Sequence, residues 1–277
     1  MINEWIITGD THGGIQVLQR LEVIKSNYTL TNQVGIIILG DAGLNYWINK
    51  TDDKNKRAIC NSTSAYFYLV RGNHEERPEN LPNIEMIWDE NVNGNIYYQP
   101  EYPQIRYFLD GASYELTYGE QTYKTLVIGG AYSVDKYYRL QRNAPWFEGE
   151  QLTQRERERI LFAYTGQSFD LVLTHTCPLS WEPTDLFLNF IDQSSVDKTM
   201  EKFLNAISTH VNWKVWCFGH YHADRIERPH VEQFYTDAED LGSIITRWSY
   251  YDRTEYIDWW LLKSPNFYMG DANYRYF

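Results

Sequence analysis

The chain has 277 residues, 43% of them hydrophobic and 22% charged, with 25 basic side chains against 37 acidic ones and a formal net charge of -12. A chain of that size and balance buries a core without help from a disulfide or a structural metal, and it is too apolar to be a disordered segment. The acidity disfavours a sequence-independent grip on long nucleic acid or an anionic membrane, which needs a dense basic field, so any phosphate chemistry here has to bring its own positive charge.

The first residues, MINEWIITGDTHGG, lack the basic and apolar regions of a secretory signal, and no apolar run approaches the roughly 20 residues that span a bilayer. Glu4 to Thr8 reads as a strand running into Gly9-Asp10, and Ile15 to Ile24 has apolar spacing near that of a helix. Val34 to Leu39 reads as a strand ending at Gly40-Asp41, and Ala65 to Arg71 as one ending at Gly72-Asn73-His74. Ala112 to Tyr118 and Gln121 to Ile128 flank Gly119-Glu120 as a hairpin, the second arm running into Gly129-Gly130. Gln151 to Tyr164, with its Arg155-Glu156-Arg157-Glu158-Arg159 run, reads as a helix with a solvated face. Phe169 to Thr174 is a strand ending at His175, and Ser194 to Asp197 resembles a capping box that opens a helix to about His210. Lys214 to Phe218 is a strand ending at Gly219-His220. Beyond His222 the pattern suggests short strands and turns rich in aromatics, so one domain over 1–277 with a β-rich portion from about 223 to 277 is expected. Cys60, Cys177 and Cys217 are odd in number and widely spaced, which suits reduced thiols in a cytoplasmic protein better than a disulfide framework.

The strand-like runs share one feature. Each hands over at its C-terminal end to Gly or a polar residue, and open α/β sheets collect ligands along that edge. The polar residues there are Asp10, His12, Asp41, Asn73, His74, His175, His220 and His222, a set that holds five of the seven histidines. Carboxylate, imidazole and amide oxygen without thiolate suit a first-row divalent ion such as manganese, iron or zinc.

Taken in order, Gly9-Asp10-Thr11-His12, Gly40-Asp41, Gly72-Asn73-His74-Glu75, His175 and Gly219-His220-Tyr221-His222 resemble the blocks of the calcineurin-like metallophosphoesterases, with steps of 31 and 32 residues between Asp10, Asp41 and Asn73. The resemblance spans about residues 5 to 222. It implies a four-layer α/β/β/α sandwich of two facing mixed sheets flanked by helices. It also implies two divalent metal ions, with Asp10, His12 and His222 on the first, Asn73, His175 and His220 on the second, and Asp41 bridging them. The implied reaction is hydrolysis of a phosphoester by in-line attack of a hydroxide shared by the two ions. His74 would act beside the second ion on the developing charge or the leaving oxygen.

One branch of that family extends the second block with an Asp that orients the catalytic histidine and an Arg that binds phosphate. Here Leu44 stands at the Asp position and Asn45 at the Arg position, which tilts the expectation away from a phosphoprotein substrate. A block at 129–139, GGAYSVDKYYR, looks like a segment of small bacterial and phage-type members, and its Lys136 or Arg139 is a candidate phosphate ligand beside Asn45. Tyr132 or Trp146 are candidates for stacking on a base. The expected substrate is therefore a phosphorylated small molecule or nucleotide, monoester or diester. The alternatives are a phosphoprotein phosphatase, a non-catalytic protein that binds metal or a phospho-ligand, and a nuclease acting with a partner chain.

Overall fold

The computed structural model describes residues 1–251; of the portion expected to be β-rich, 223–251 is described and 252–277 lies outside the described residues. Two mixed sheets form the centre. In the first, β1 (Glu4–Thr8), β2 (Val34–Ile38), β3 (Tyr66–Leu69) and β6 (Ile105–Phe108) run parallel. The antiparallel β5 (Gly94–Tyr98) and β4 (Glu85–Asp89) extend one side, and β13 (Ala238–Asp240) closes the other. The second sheet has β8 (Gln121–Ile128), β9 (Ser168–Thr174), β10 (Asn212–Phe218) and β12 (Val231–Gln233) in parallel, with β7 (Ala112–Tyr118) and β11 (Arg225–Arg228) antiparallel at its two edges.

Alternation along the strands explains the layering. In β1, Trp5 and Ile7 enter the core between the sheets with Tyr68, Phe108, Leu171 and Val215, while Ile6 faces the other way. That outer face packs on Val17, Leu21 and Ile24 of α1 (Gly14–Asn27) and on Ile59 of α2 (Lys50–Ser62). The second sheet turns Leu126, Val172 and Trp216 outward onto Ile160 of α4 (Gln154–Tyr164) and onto Phe203, Leu204 and Ile207 of α5 (Thr199–His210). The result is the α/β/β/α sandwich. Each large side chain removed from water in these layers contributes about 1.5–3 kcal/mol before chain entropy is charged against it.

Several elements differ from the pattern reading. α2 carries almost no apolar period: Ile59 is its buried apolar residue, and Lys56 is buried by donating to Gln99 Oε1 at 2.8 Å and lying 5.3 Å from the Tyr102 ring centre. The helix expected to open at Ser194 begins at Thr199 instead. Ser194 sits in a single 3-10 turn, and the Asp197 carboxylate takes the Thr199 N–H at 2.9 Å. The run after Asp240 is a helix, α6 (Leu241–Tyr251), not strand. It sends Leu241, Ile244 and Trp248, a helical spacing, into the core between the sheets. Of the two histidines outside the strand-end blocks, His210 sits exposed at the end of α5, and His230 stacks on Trp248 at 4.9 Å.

Candidate metal centre

Because β1, β2 and β3 are parallel, as are β8, β9 and β10, their C-terminal ends lie along a shared rim, and the loops leaving them interlock. Gly13 donates to Ala42 O, His12 to Asp41 O, Gly219 to His175 O and Gly130 to Arg71 O. Gly40 has φ of 94°, and a side chain there would overlap the His175 ring. The glycine ahead of the aspartate is thus the space that the histidine of the opposite sheet occupies. Among the described residues nine non-glycine residues have positive φ, and four of them are His12, Asp41, His220 and His222. Left-handed backbone costs such residues roughly 1–3 kcal/mol each and persists where surroundings over-determine it, commonly at functional sites.

These turns bring the candidate ligands together. Three overlapping groups, Asp10–His12–His222, His12–Asp41–His74 and Asp10–Asp41–His175, each have their ligand atoms within 4.8 Å of one another. The His12 and His222 Nε2 atoms face each other at 2.9 Å, with Asp10 Oδ2 at 3.4 Å from His222 Nε2. His175 Nδ1 meets Leu39 O at 2.7 Å, which leaves Nε2 turned to Asn73 Oδ1 at 2.8 Å and Asp41 Oδ2 at 3.6 Å. Asn73 Nδ2 donates to Ser133 Oγ at 2.9 Å, so its carbonyl oxygen is the atom directed inward. The His220 ring lies 4.9 Å from that of His175, and the His220 backbone N–H donates to Asp10 Oδ1 at 3.0 Å. Asp10, Asp41, Asn73 and His175 form a buried floor, and His12, His74 and His222 reach the surface.

The electrostatics call for a cation. Asp10 Oδ2 is buried and accepts no hydrogen bond, an arrangement that is costly for a carboxylate unless an ion or proton compensates it. Burial alone would lower the His175 imidazole, but Asp41 and Asp10 beside it outweigh that and push it up to about 9. Burial likewise works to raise Asp41, and the His175 and His74 charges hold it well below the usual carboxylate range. Burial pushes His220 down to about 3, so that imidazole keeps a free lone pair at neutral pH. The donor set of carboxylates, imidazoles and one amide oxygen fits borderline divalent ions.

One consequence is measurable. At pH 7.5 His175 lies below its pKa of about 9 and carries a proton, which a metal must displace. Manganese binding is therefore expected to release about one proton, with apparent affinity rising about tenfold per pH unit until pH 9. Calorimetry in two buffers of different ionisation enthalpy checks this. Zero release at pH 7.5 would remove His175 from the ligand set.

The profile of the calcineurin-like phosphoesterases matches residues 6–224. The chain belongs to the calcineurin-like phosphoesterase family. No curated protein matches it. Among solved structures, a cold-active protein tyrosine phosphatase is similar at 13% identity, over 89% of this chain and 71% of that one, with a TM-score of 0.27.

Within the family pattern, three candidate substrate residues turn out to be engaged with the protein. Asn45 is buried and its Oδ1 accepts from the Tyr107 hydroxyl at 3.3 Å. Arg139 is 3% exposed, with Nε on Asp135 Oδ1 at 3.0 Å and Nη1 on Pro145 O at 3.1 Å. It sits in a short helix, α3 (Lys136–Gln141), whose first residue Lys136 rests its Nζ 3.9 Å from the centre of the Trp146 ring. Trp146 in turn donates to Glu150 Oε2 at 2.9 Å, so its N–H is taken up within the protein and Lys136 covers one face of the ring. In this structure Asn45 and Arg139 present buried groups bonded to the protein. A run of residue types does not reveal such burial.

Glu75, the last residue of the third block, accepts the N–H of Gly43 at 2.9 Å and of Gly72 at 3.3 Å, tying the second and third blocks together. Cys177 is fully buried, and burial pushes its thiol well up, which leaves it inert beside the centre. Sequence reasoning missed Ser133 and Asp135. Both sit in the 129–139 block it had singled out, but their partners, Asn73 and His74, come from the opposite sheet.

Proposed function

We propose that this family member is a metal-dependent phosphoester hydrolase that uses two divalent ions, manganese first and iron or zinc as alternatives. One ion would be held by Asp10, His12, Asp41 and His222, the other by Asp41, Asn73, His175 and His220. The observation that carries this reading is the set of three overlapping ligand groups around the undonated Asp10 Oδ2. Bound ions would supply Lewis acidity toward phosphoryl oxygens and acidify water at neutral pH.

The protein's own contribution is orientation and proton control. Asp41 takes the His74 N–H on Oδ1 at 2.8 Å, which fixes the backbone that carries the imidazole. The Tyr46 ring lies nearly parallel to His74 at 6.2 Å and an interplanar angle of 22°, limiting its rotation. His74 is the group proposed to hold the proton for the leaving oxygen. Its grouping with His12 and Asp41 places one ring nitrogen beside the centre.

The substrate proposed is a phosphorylated small molecule or a nucleotide, as monoester or diester. Net acidity supports something small, and Leu44, fully buried in the apolar layer under α1, cannot play the orienting role of the phosphoprotein branch. A cytoplasmic setting is proposed on the three free cysteines, of which Cys177 and Cys217 are buried. No helix among the described residues is long and apolar enough to cross a membrane.

The test is a screen of phosphomonoesters, phosphodiesters, cyclic nucleotides and dinucleoside phosphates with the manganese-loaded protein. Turnover of at least one class that stops on chelation is expected. Inertness toward all of them, with manganese bound, would favour a protein that only holds metal or a phospho-ligand.

A further inference from the structure

The 129–139 block does more than pass the metal centre. Gly130 N donates to Arg71 O, Ser133 Oγ takes the Asn73 amide, and Asp135 Oδ1 lies 3.8 Å from His74 Nε2. The same Oδ1 accepts from Arg139 Nε, and Arg139 N closes a helical turn onto Asp135 O at 2.9 Å. Asp135 thus has one oxygen shared between a buried guanidinium and the imidazole. His74 itself sits between two walls: the Tyr46 face, and the edge-on His12 ring at 5.7 Å.

We propose that Asp135 is a positioning residue for His74 and that Arg139 fixes Asp135 in place, so that the carboxylate missing at Leu44 is supplied from the opposite sheet. This rests on the hydrolase reading above. A carboxylate on one ring nitrogen sets the tautomer and the ring orientation, and so presents the other nitrogen to the reacting group. The 3.8 Å separation is within ion-pair reach, and such contacts commonly tighten when substrate is bound. An ordinary surface pair does not account for the arrangement. The Asp135 side chain is 39% exposed, but Arg139 is buried to 3%, with its Nη2 enclosed and unbonded. Burying a guanidinium costs several kcal/mol, offset only where a paired charge and hydrogen bonds hold it in good geometry. Here its planar fork spans Asp135 and Pro145 O and leaves the carboxylate little freedom.

The experiment compares wild type, Asp135→Asn, Asp135→Glu, His74→Ala and the His74→Ala/Asp135→Asn double variant. Each is loaded with manganese and assayed on aryl phosphates of graded leaving group. For phenyl phosphate, whose leaving oxygen needs a proton, Asp135→Asn is expected to lower kcat by about 10- to 100-fold with KM within about threefold. For dinitrophenyl phosphate, whose leaving group departs as the anion, the loss is expected to stay under about threefold. Asp135→Glu should restore part of the phenyl phosphate rate. In the His74→Ala background Asp135→Asn should add nothing. Manganese stoichiometry should match wild type, and the melting temperature should fall by only a few degrees, because the amide oxygen still accepts from Arg139 Nε while the charge facing the buried guanidinium is lost.

Equal losses on both esters, additive losses in the double variant, or loss of manganese would overturn the inference and leave the hydrolase reading standing. Wild-type protein that binds manganese but turns over no ester overturns the hydrolase reading, and this inference with it.

Discussion

Asp41→Asn is expected to lower kcat/KM by about 10³-fold or more and to strip at least one manganese from the protein. Asp41 belongs to two of the three ligand groups, faces His175 Nε2 at 3.6 Å through Oδ2, and holds the His74 N–H through Oδ1. The amide keeps the shape and can still accept from His74, so the fold survives while the buried negative charge goes. That charge is the first of the carboxylates raising His175, and the floor of the site is built around it. Metal analysis by mass spectrometry together with steady-state kinetics reads both effects. Full turnover with a full metal complement would show that the ions do not share Asp41.

The second large effect is steric. Gly40→Ala is expected to destabilise the protein by about 3 kcal/mol and to cut turnover by about 100-fold, because the added methyl meets the His175 ring while the backbone is held at φ 94°. Gly166→Ala is the matched control. Gly166 also has positive φ, 77°, but a side chain there meets nothing within 4 Å, so only the backbone cost of about 1 kcal/mol should appear and activity should be intact. Denaturant melts and kcat/KM on the pair separate the two contributions. Equal losses in both would mean that close approach to His175 contributes nothing.

The parts of this molecule that were readable from the chain are those whose cause is local. A run such as Val34 to Leu39 is buried on both faces and announces a central strand, and a glycine followed by Asp or His marks where that strand turns at the rim. The hairpin of β7 and β8 was equally plain, since Gly119-Glu120 interrupts two strand-like arms at the point where the ladder closes. α2 was hidden because a lysine and an aspartate occupy part of its buried face, satisfied by Gln99 and by the Trp47 and Ile48 N–H groups. α6 was misread because its aromatic content outweighed the three- and four-residue spacing of Leu241, Ile244 and Trp248, which was there to be counted. Charge at Arg139 suggested a phosphate ligand, whereas its burial and its bond to Asp135 follow only from how the block at 129–139 folds back. Pairings such as Ser133 with Asn73 and Asp135 with His74 arise between sheets and have no signature in either segment alone.

The division of the candidate ligands between the sheets has a mechanical consequence. Asp10, Asp41 and Asn73 leave the ends of β1, β2 and β3, whereas His175, His220 and His222 leave the ends of β9 and β10. Ions gripped by both sets would act as a reversible cross-link between the halves of the sandwich, tightening the fit along the face filled by Trp5, Tyr68, Leu171 and Val215. Free energy of ion capture then becomes cohesion between the sheets, and the coupling is reciprocal. A loosened apolar contact deep between the layers weakens the grip on the ions at the rim, even though no ligand has been touched.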